Sequence, residues 1–203
     1  MKRILSFILC TLLVMSTCSC NGGKSVDEQF ISSLEKGLEA RWKLSDQVTT
    51  PTKEDWEKYV KAELDEISKF KEEKFEDEKL EKAAKTYIQS MEDTKKILKY
   101  VNTNQWTTKY DMDIYMTRTK ALYDINQIKT LEVKDEFKEN LTDLLSTGEA
   151  ASLAKKIMED VKFKKIKDEY DYRTYAAVIE NTSAIDFQTF WISVALYDKN
   201  GII

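Results

Sequence analysis

The chain has 203 residues, 33% charged and 42% hydrophobic, with a formal charge of −4, one Pro and five Gly. That balance excludes a disordered polymer and a membrane-embedded bundle, and such sparse turn punctuation favours long helices over a many-turned β protein. The absence of His excludes Ser-His and Cys-His nucleophile pairs and every His-containing metal site, and the acidic balance argues against nucleic acid as a partner.

Residues 1–19 open with Lys2 and Arg3, continue through a mostly apolar run over 4–15, and close on Ser16-Thr17-Cys18-Ser19 before Cys20. The run is shorter than the roughly 20 residues a spanning helix needs and has the three-part layout of a secretory signal. All three cysteines, Cys10, Cys18 and Cys20, fall here. Ser19-Cys20-Asn21-Gly22-Gly23 resembles a bacterial lipoprotein lipobox, where a small residue precedes the cysteine that is cleaved and lipidated. The resemblance implies removal of 1–19 and a lipid on Cys20 at the head of a tether over 20–24. It also implies attachment to a lipid bilayer on the extracytoplasmic face. Cys18, preceded by Thr17, is the alternative acceptor, and a plain signal cut near Ser19 is the simpler reading of the same residues. Cleavage would remove two positive charges and no acidic ones, taking −4 to −6. It would leave no free thiol for a disulfide framework or a nucleophile.

Ser25 and Glu28 form a capping-box pattern ahead of Phe30, Leu34, Leu38 and Trp42, which predicts a first helix ending near Leu44. Thr52 and Asp55 restart a second helix with Trp56, Val60, Leu64, Ile67 and Phe70 on its apolar face. The charged stretch 71–79 either continues it or turns. Leu80, Ala84, Tyr87, Met91, Thr94, Leu98 and Val101 alternate steps of four and three, a coiled-coil-like seam flanked by Ala83, Ile88 and Ile97, and Asn102-Thr103-Asn104 ends it. Trp106, Tyr110, Ile114, Thr117, Ala121, Ile125 and Ile128 trace a fourth stripe. Phe137, Leu141, Leu144 and Leu145 begin a fifth helix, expected to bend at Gly148 and resume through Ala150, Leu153 and Ile157. The fold class that follows is mostly α, an antiparallel helical bundle over 25–160.

Past Asp160 the period changes to two. A lysine-rich transition through Val161 and Phe163 precedes a strand over 172–179, a turn at Asn181-Thr182-Ser183 and a strand over 187–197. Asp198-Lys199-Asn200-Gly201 is a hairpin signal. The span 161–203 is thus expected to be a short, apparently incomplete antiparallel β-sandwich-like module. Ala177-Val178-Ile179-Glu180-Asn181-Thr182-Ser183 and Val194-Ala195-Leu196-Tyr197-Asp198-Lys199-Asn200-Gly201 resemble the opening part of an FxLYD domain, with Val194 where the family carries its naming Phe. The resemblance implies an extracytoplasmic β-sandwich with no catalytic residues. In it Val194, Leu196 and Tyr197 would serve packing, and Asp198 and Gly201 the turn.

Candidate chemistry is sparse. Asp111 and Asp113 flank Met112, but positions i and i+2 of a helix diverge, so no metal site is expected. The acidic run Glu72, Glu73, Glu76, Asp77 and Glu78 is interleaved with lysines and reads as a solvated face. Lys162, Lys164, Lys165 and Lys167 read as a protected strand edge, or else as a basic patch for anionic lipid head groups or teichoic-type polymers. Tyr170, Tyr172 and Tyr175 suggest packing, or else an aromatic cleft. The expected function is a cell-envelope lipoprotein with a non-catalytic binding or structural role and no cofactor, meeting a protein or envelope partner. The alternative is ligand or partner capture in a cleft of the helical domain, and a His-free carboxylate hydrolase stands third.

Overall fold

The computed structural model describes residues 23–159, 161–169 and 172–183. Cys18, Cys20 and the signal segment lie outside the described residues. So do the strand expected over 187–197 and the positions Val194, Leu196, Tyr197, Asp198 and Gly201. The described chain is mostly helical, with a small two-stranded antiparallel sheet at the C-terminal end. No described helix is long and apolar enough to cross a membrane.

Helix α1 (Val26–Ser45) starts from a complete capping box: the Ser25 hydroxyl accepts the Glu28 N–H, and the Glu28 carboxylate accepts the Ser25 N–H. Thr52 and Asp55 repeat the device at α2 (Lys53–Ile67). Each box satisfies two N-terminal donors that no helical carbonyl can reach. The stretch after α2 turns instead of continuing. It passes through a 3₁₀ turn at Ser68–Phe70 and buries Phe75, and Asp77 then caps α3 (Glu78–Ile97) by accepting from Lys79 and Leu80 N–H. Asp27 anchors this turn from α1, its two carboxylate oxygens accepting the N–H groups of Glu76 (2.9 Å) and Asp77 (3.1 Å).

The α3 seam is realised as the spacing predicts. Leu80, Ala84, Tyr87, Met91, Thr94 and Leu98 are buried, and Lys82 and Lys99 face water. Glu92, on the flank of the seam, is half-buried and pairs with Lys71 at 2.6 Å. After a 3₁₀ turn at Leu98–Tyr100 the chain reverses through Asn102, the one described non-glycine residue with positive φ (63°), a conformation asparagine tolerates.

A single turn α4 (Asn104–Trp106) runs into eight π-helical residues, Thr107–Ile114, and then α5 (Tyr115–Ile128). The expected fourth stripe holds at Tyr110, Ala121 and Ile125, which are buried, and is corrected at Thr117: after the wider π winding Thr117 is exposed, and Arg118 and Leu122 join the buried face. Residues 129–134 then cross α1 in extended form. Glu132 N–H donates to Glu35 (2.7 Å) and Lys134 N–H to Glu39 (2.9 Å). One helical turn of four residues rises about 6 Å and two extended residues span about 6.6 Å, so the two acceptors match the two donors.

Helix α6 (Lys138–Glu159) runs through Gly148 as one continuous helix. Glycine stands there because α5 is in the way: a β-carbon at Gly148 would lie 2.1 Å from the Thr119 carbonyl oxygen. Beyond α6, β1 (Lys164–Glu169) pairs antiparallel with β2 (Tyr172–Ala176), with an irregularity between Lys165 and Lys167. The lysine-rich stretch is therefore itself a strand, and the second strand is shorter than the sequence suggests. The turn at 181–183 is present, with Asn181 Oδ1 accepting the Ser183 N–H at 3.0 Å.

Candidate functional site

Four helices converge on one carboxylate. Glu63, fully buried on α2, accepts Arg41 Nη1 from α1 at 2.6 Å and Arg118 Nη2 from α5 at 2.9 Å on Oε1. Its Oε2 accepts the Tyr87 hydroxyl from α3 at 2.5 Å and Arg118 Nη2 at 3.1 Å. Gly37 makes the approach possible, because a larger residue on α1 would meet the Glu63 backbone, 3.3 Å from an ideal β-carbon. Arg41 Nη2 also reaches Tyr110 Oη at 3.5 Å, and its guanidinium lies 5.5 Å from the Trp56 ring centroid. Trp106 stacks on Tyr110 at 4.5 Å, and both rings pack against Trp56, closing the cluster on the Arg41 side.

The electrostatics follow from this geometry. Burial pushes the Glu63 carboxyl up, but the Arg118 and then the Arg41 guanidinium outweigh it and hold it below the usual carboxylate range. Burial opposes ionisation of the Tyr87 hydroxyl and Glu63 adds to the effect, so the phenol is raised well above its ordinary value despite Arg118. The cluster thus holds two guanidiniums and one carboxylate, a net buried charge of +1. Glu63 is a positioned, ionised acceptor. It cannot serve as a general acid, since its proton is lost well below neutral pH.

Among the described residues no second carboxylate faces Glu63 across the cluster, and the other buried acid, Asp27, is engaged with backbone N–H groups at the far end of α1. Asp111 and Asp113 are exposed on the π-helical segment, and no group of three or more potential metal ligands occurs among the described residues. Tyr170 lies outside the described residues, and Tyr175 is 46% exposed on β2.

A concave feature of the domain lies on the opposite side of α3 and α5. A groove of about 470 Å³ is lined by Lys82, Lys85, Gln89, Asp93, Asp113 and Thr117, among others. A second, of about 610 Å³, is lined by Lys79, Lys82, Thr117, Lys120, Gln127 and Lys155, with Asp124 as its one acid. Lys82, Thr86 and Thr117 belong to both, so the two are continuous. The sequence pointed to Trp56, Tyr87, Trp106 and Tyr110 of the cluster only as apolar-face positions, to Asp113 of the groove only as half of a rejected metal pair, and to Thr117 as an inside position; the charged members Arg41, Glu63 and Arg118 and the groove lysines were not singled out as a site.

Comparison with known protein families, with curated proteins and with solved structures yields no match to this chain. The functional reading therefore rests on the residues and their arrangement.

Proposed function

We propose that the chain is a lipid-anchored protein of a bacterial cell envelope. It is carried on Cys20 at the extracytoplasmic face, and its helical domain captures a ligand or partner without transforming it. The observation that carries capture is the α3–α5 groove, where side chains from three helices converge on several hundred Å³ of open volume. The charged core supports a non-catalytic role. Its single carboxylate is closed from solvent and committed to two guanidiniums, so it offers no paired acid and base for hydrolysis. The lipobox-like Ser19-Cys20 supports the anchor, and a two-chain or three-chain lipid would hold the protein stably where a single acyl chain would not. The FxLYD-like segment over 168–203 is read as an extracytoplasmic β-module that follows the capture domain.

Metabolic labelling with radioactive palmitate tests the reading. Label should enter the protein in the membrane fraction, and Cys20→Ala should abolish it and leave precursor or released protein. Label that survives Cys20→Ala and disappears in Cys18→Ala moves the anchor to Cys18. An unlabelled wild-type protein overturns the lipoprotein reading.

A further inference from the structure

The two grooves form one trough between α3 and α5, and from Lys79 to Asp93 it follows α3 for about 20 Å. Its charge is uneven. At one end Lys79 and Lys82 of α3, Lys120 of α5 and Lys155 of α6 surround a single acid, Asp124, while the other end carries Asp93 and Asp113. Lys120 pairs with Asp124 at 2.5 Å, whereas Lys79, Lys82 and Lys155 form no ion pair among the described residues. Three uncompensated ammonium groups on one concave surface invert the sign of a chain whose formal charge is −4. Behind this surface the core adds its own excess, since Arg118, the residue after Thr117, brings a second guanidinium to a lone carboxylate. The fields of both sets add at the lysine end.

The choice of cation is also informative. Both arginines of the bundle are spent internally on Glu63, and the trough is lined by lysines with no arginine. An arginine fork suits a carboxylate or a phosphate held in one geometry. A lysine is a point charge on a flexible stem, suited to phosphate oxygens whose positions vary along a ligand. Thr117, turned outward by the π-helical segment, and Gln127 add neutral donors.

We propose that the lysine end of the trough binds an extended phosphate-bearing polyanion. Lys79, Lys82 and Lys155 would neutralise successive phosphates, with the Thr117 hydroxyl and the Gln127 amide donating to their oxygens. The length of the trough favours a chain of phosphates over a single one. The proposal rests on the capture reading above and gives it a ligand chemistry.

The test uses the full chain in detergent, with short linear polyphosphate as the probe and calorimetry as the readout. Binding should be saturable, should weaken as salt rises, and should exceed binding of inorganic phosphate. Lys82→Glu combined with Lys155→Glu should weaken it at least about tenfold, while Lys43→Glu combined with Lys109→Glu, the same charge change elsewhere, should leave it near wild type. Circular dichroism checks folding, and if the first pair misfolds, Lys82→Gln with Lys155→Gln replaces it, with a smaller loss expected in the same direction. Absence of saturable polyphosphate binding overturns the proposal, as does equal weakening by both pairs or equal affinity for inorganic phosphate. Binding to phosphatidylglycerol vesicles without binding to polyphosphate overturns it in favour of a membrane surface. A negative result here leaves the palmitate result standing, and a missing lipid leaves the calorimetry interpretable.

Discussion

Gly148 of α6 sits directly against the Thr119 carbonyl of α5, where a β-carbon would stand 2.1 Å from the oxygen and 2.8 Å from Tyr123 Cβ. In an isolated helix, replacing glycine by alanine gains about 1 kcal/mol. Here the added methyl meets backbone that cannot rotate away, so α5 and α6 must separate. Gly148→Ala should therefore destabilise the domain, by about 1–3 kcal/mol or more, read as a lower thermal midpoint. An unchanged or higher midpoint would mean that the helices do not cross this closely.

Glu63→Gln should be among the most damaging single changes. It leaves two buried guanidiniums without a counter-charge, and breaking such a group typically costs about 3–5 kcal/mol. Urea unfolding at neutral pH measures it. Wild-type behaviour of the variant would refute a closed charged cluster.

The same carboxylate sets a pH dependence. The folded protein holds Glu63 below its ordinary carboxylate range, so its contribution is fully present above the unfolded value and is lost as pH falls through the folded one. Stability should fall steeply on acidification below the usual glutamate range. In Glu63→Gln the acid limb of the stability curve should be shallower, and an identical limb would assign the effect to other carboxylates.

Two buried tyrosines should behave oppositely. The Tyr87 hydroxyl donates to Glu63 and accepts from Arg118 at 2.9 Å, whereas the Tyr59 hydroxyl has no hydrogen-bond partner in the structure. Tyr87→Phe should cost about 1–3 kcal/mol and Tyr59→Phe should be close to neutral. Equal effects in chemical denaturation would contradict the assignment of the cluster.

Residues 129–134 are held on α1 by Glu35 and Glu39. Burial pushes the Glu35 carboxyl up, although the Glu132 N–H opposes the shift. At Glu39 burial also acts upward, but the side chain and N–H of Lys134 prevail and hold it low. Glu39→Ala should speed hydrogen exchange at the Lys134 amide while leaving the amides of α3 protected. No change at Lys134 would mean that the crossing segment is held by its apolar contacts.

The apolar seams of α1, α2 and α3 were legible because Phe30, Leu34, Leu38, Val60, Ile67, Leu80, Tyr87 and Met91 recur at helical spacing, and periodicity alone reports which face is buried. The capping boxes at Ser25 and Thr52 were legible for a similarly local reason. The cluster was not. Glu63, Arg41 and Arg118 are three charges in a chain that is one-third charged, and nothing in their neighbours distinguishes them from solvated residues. Arg118 was further hidden because the expected stripe placed its neighbour Thr117 inside, whereas after the π-helical turns Arg118 is buried and Thr117 exposed. Gly148 was visible as a glycine, but whether it marks a bend or a close approach depends on what lies across from it. The groove needs α3 and α5 side by side, so Lys82 could be read as exposed but not as one wall of a trough.

The extent of the Glu63 network along the chain has a kinetic consequence. Its members are separated by 22 residues to Arg41, 24 to Tyr87 and 55 to Arg118. A collapsing chain that assembles α1 to α3 first would bury Glu63 with Arg41 and Tyr87 before the second guanidinium arrives, and the half-built group would still draw water. In that order of assembly the docking of α5 would complete the network and dry the interior, which would place a large share of the folding barrier on the arrival of α5 and make partly assembled bundles poor competitors with the native one.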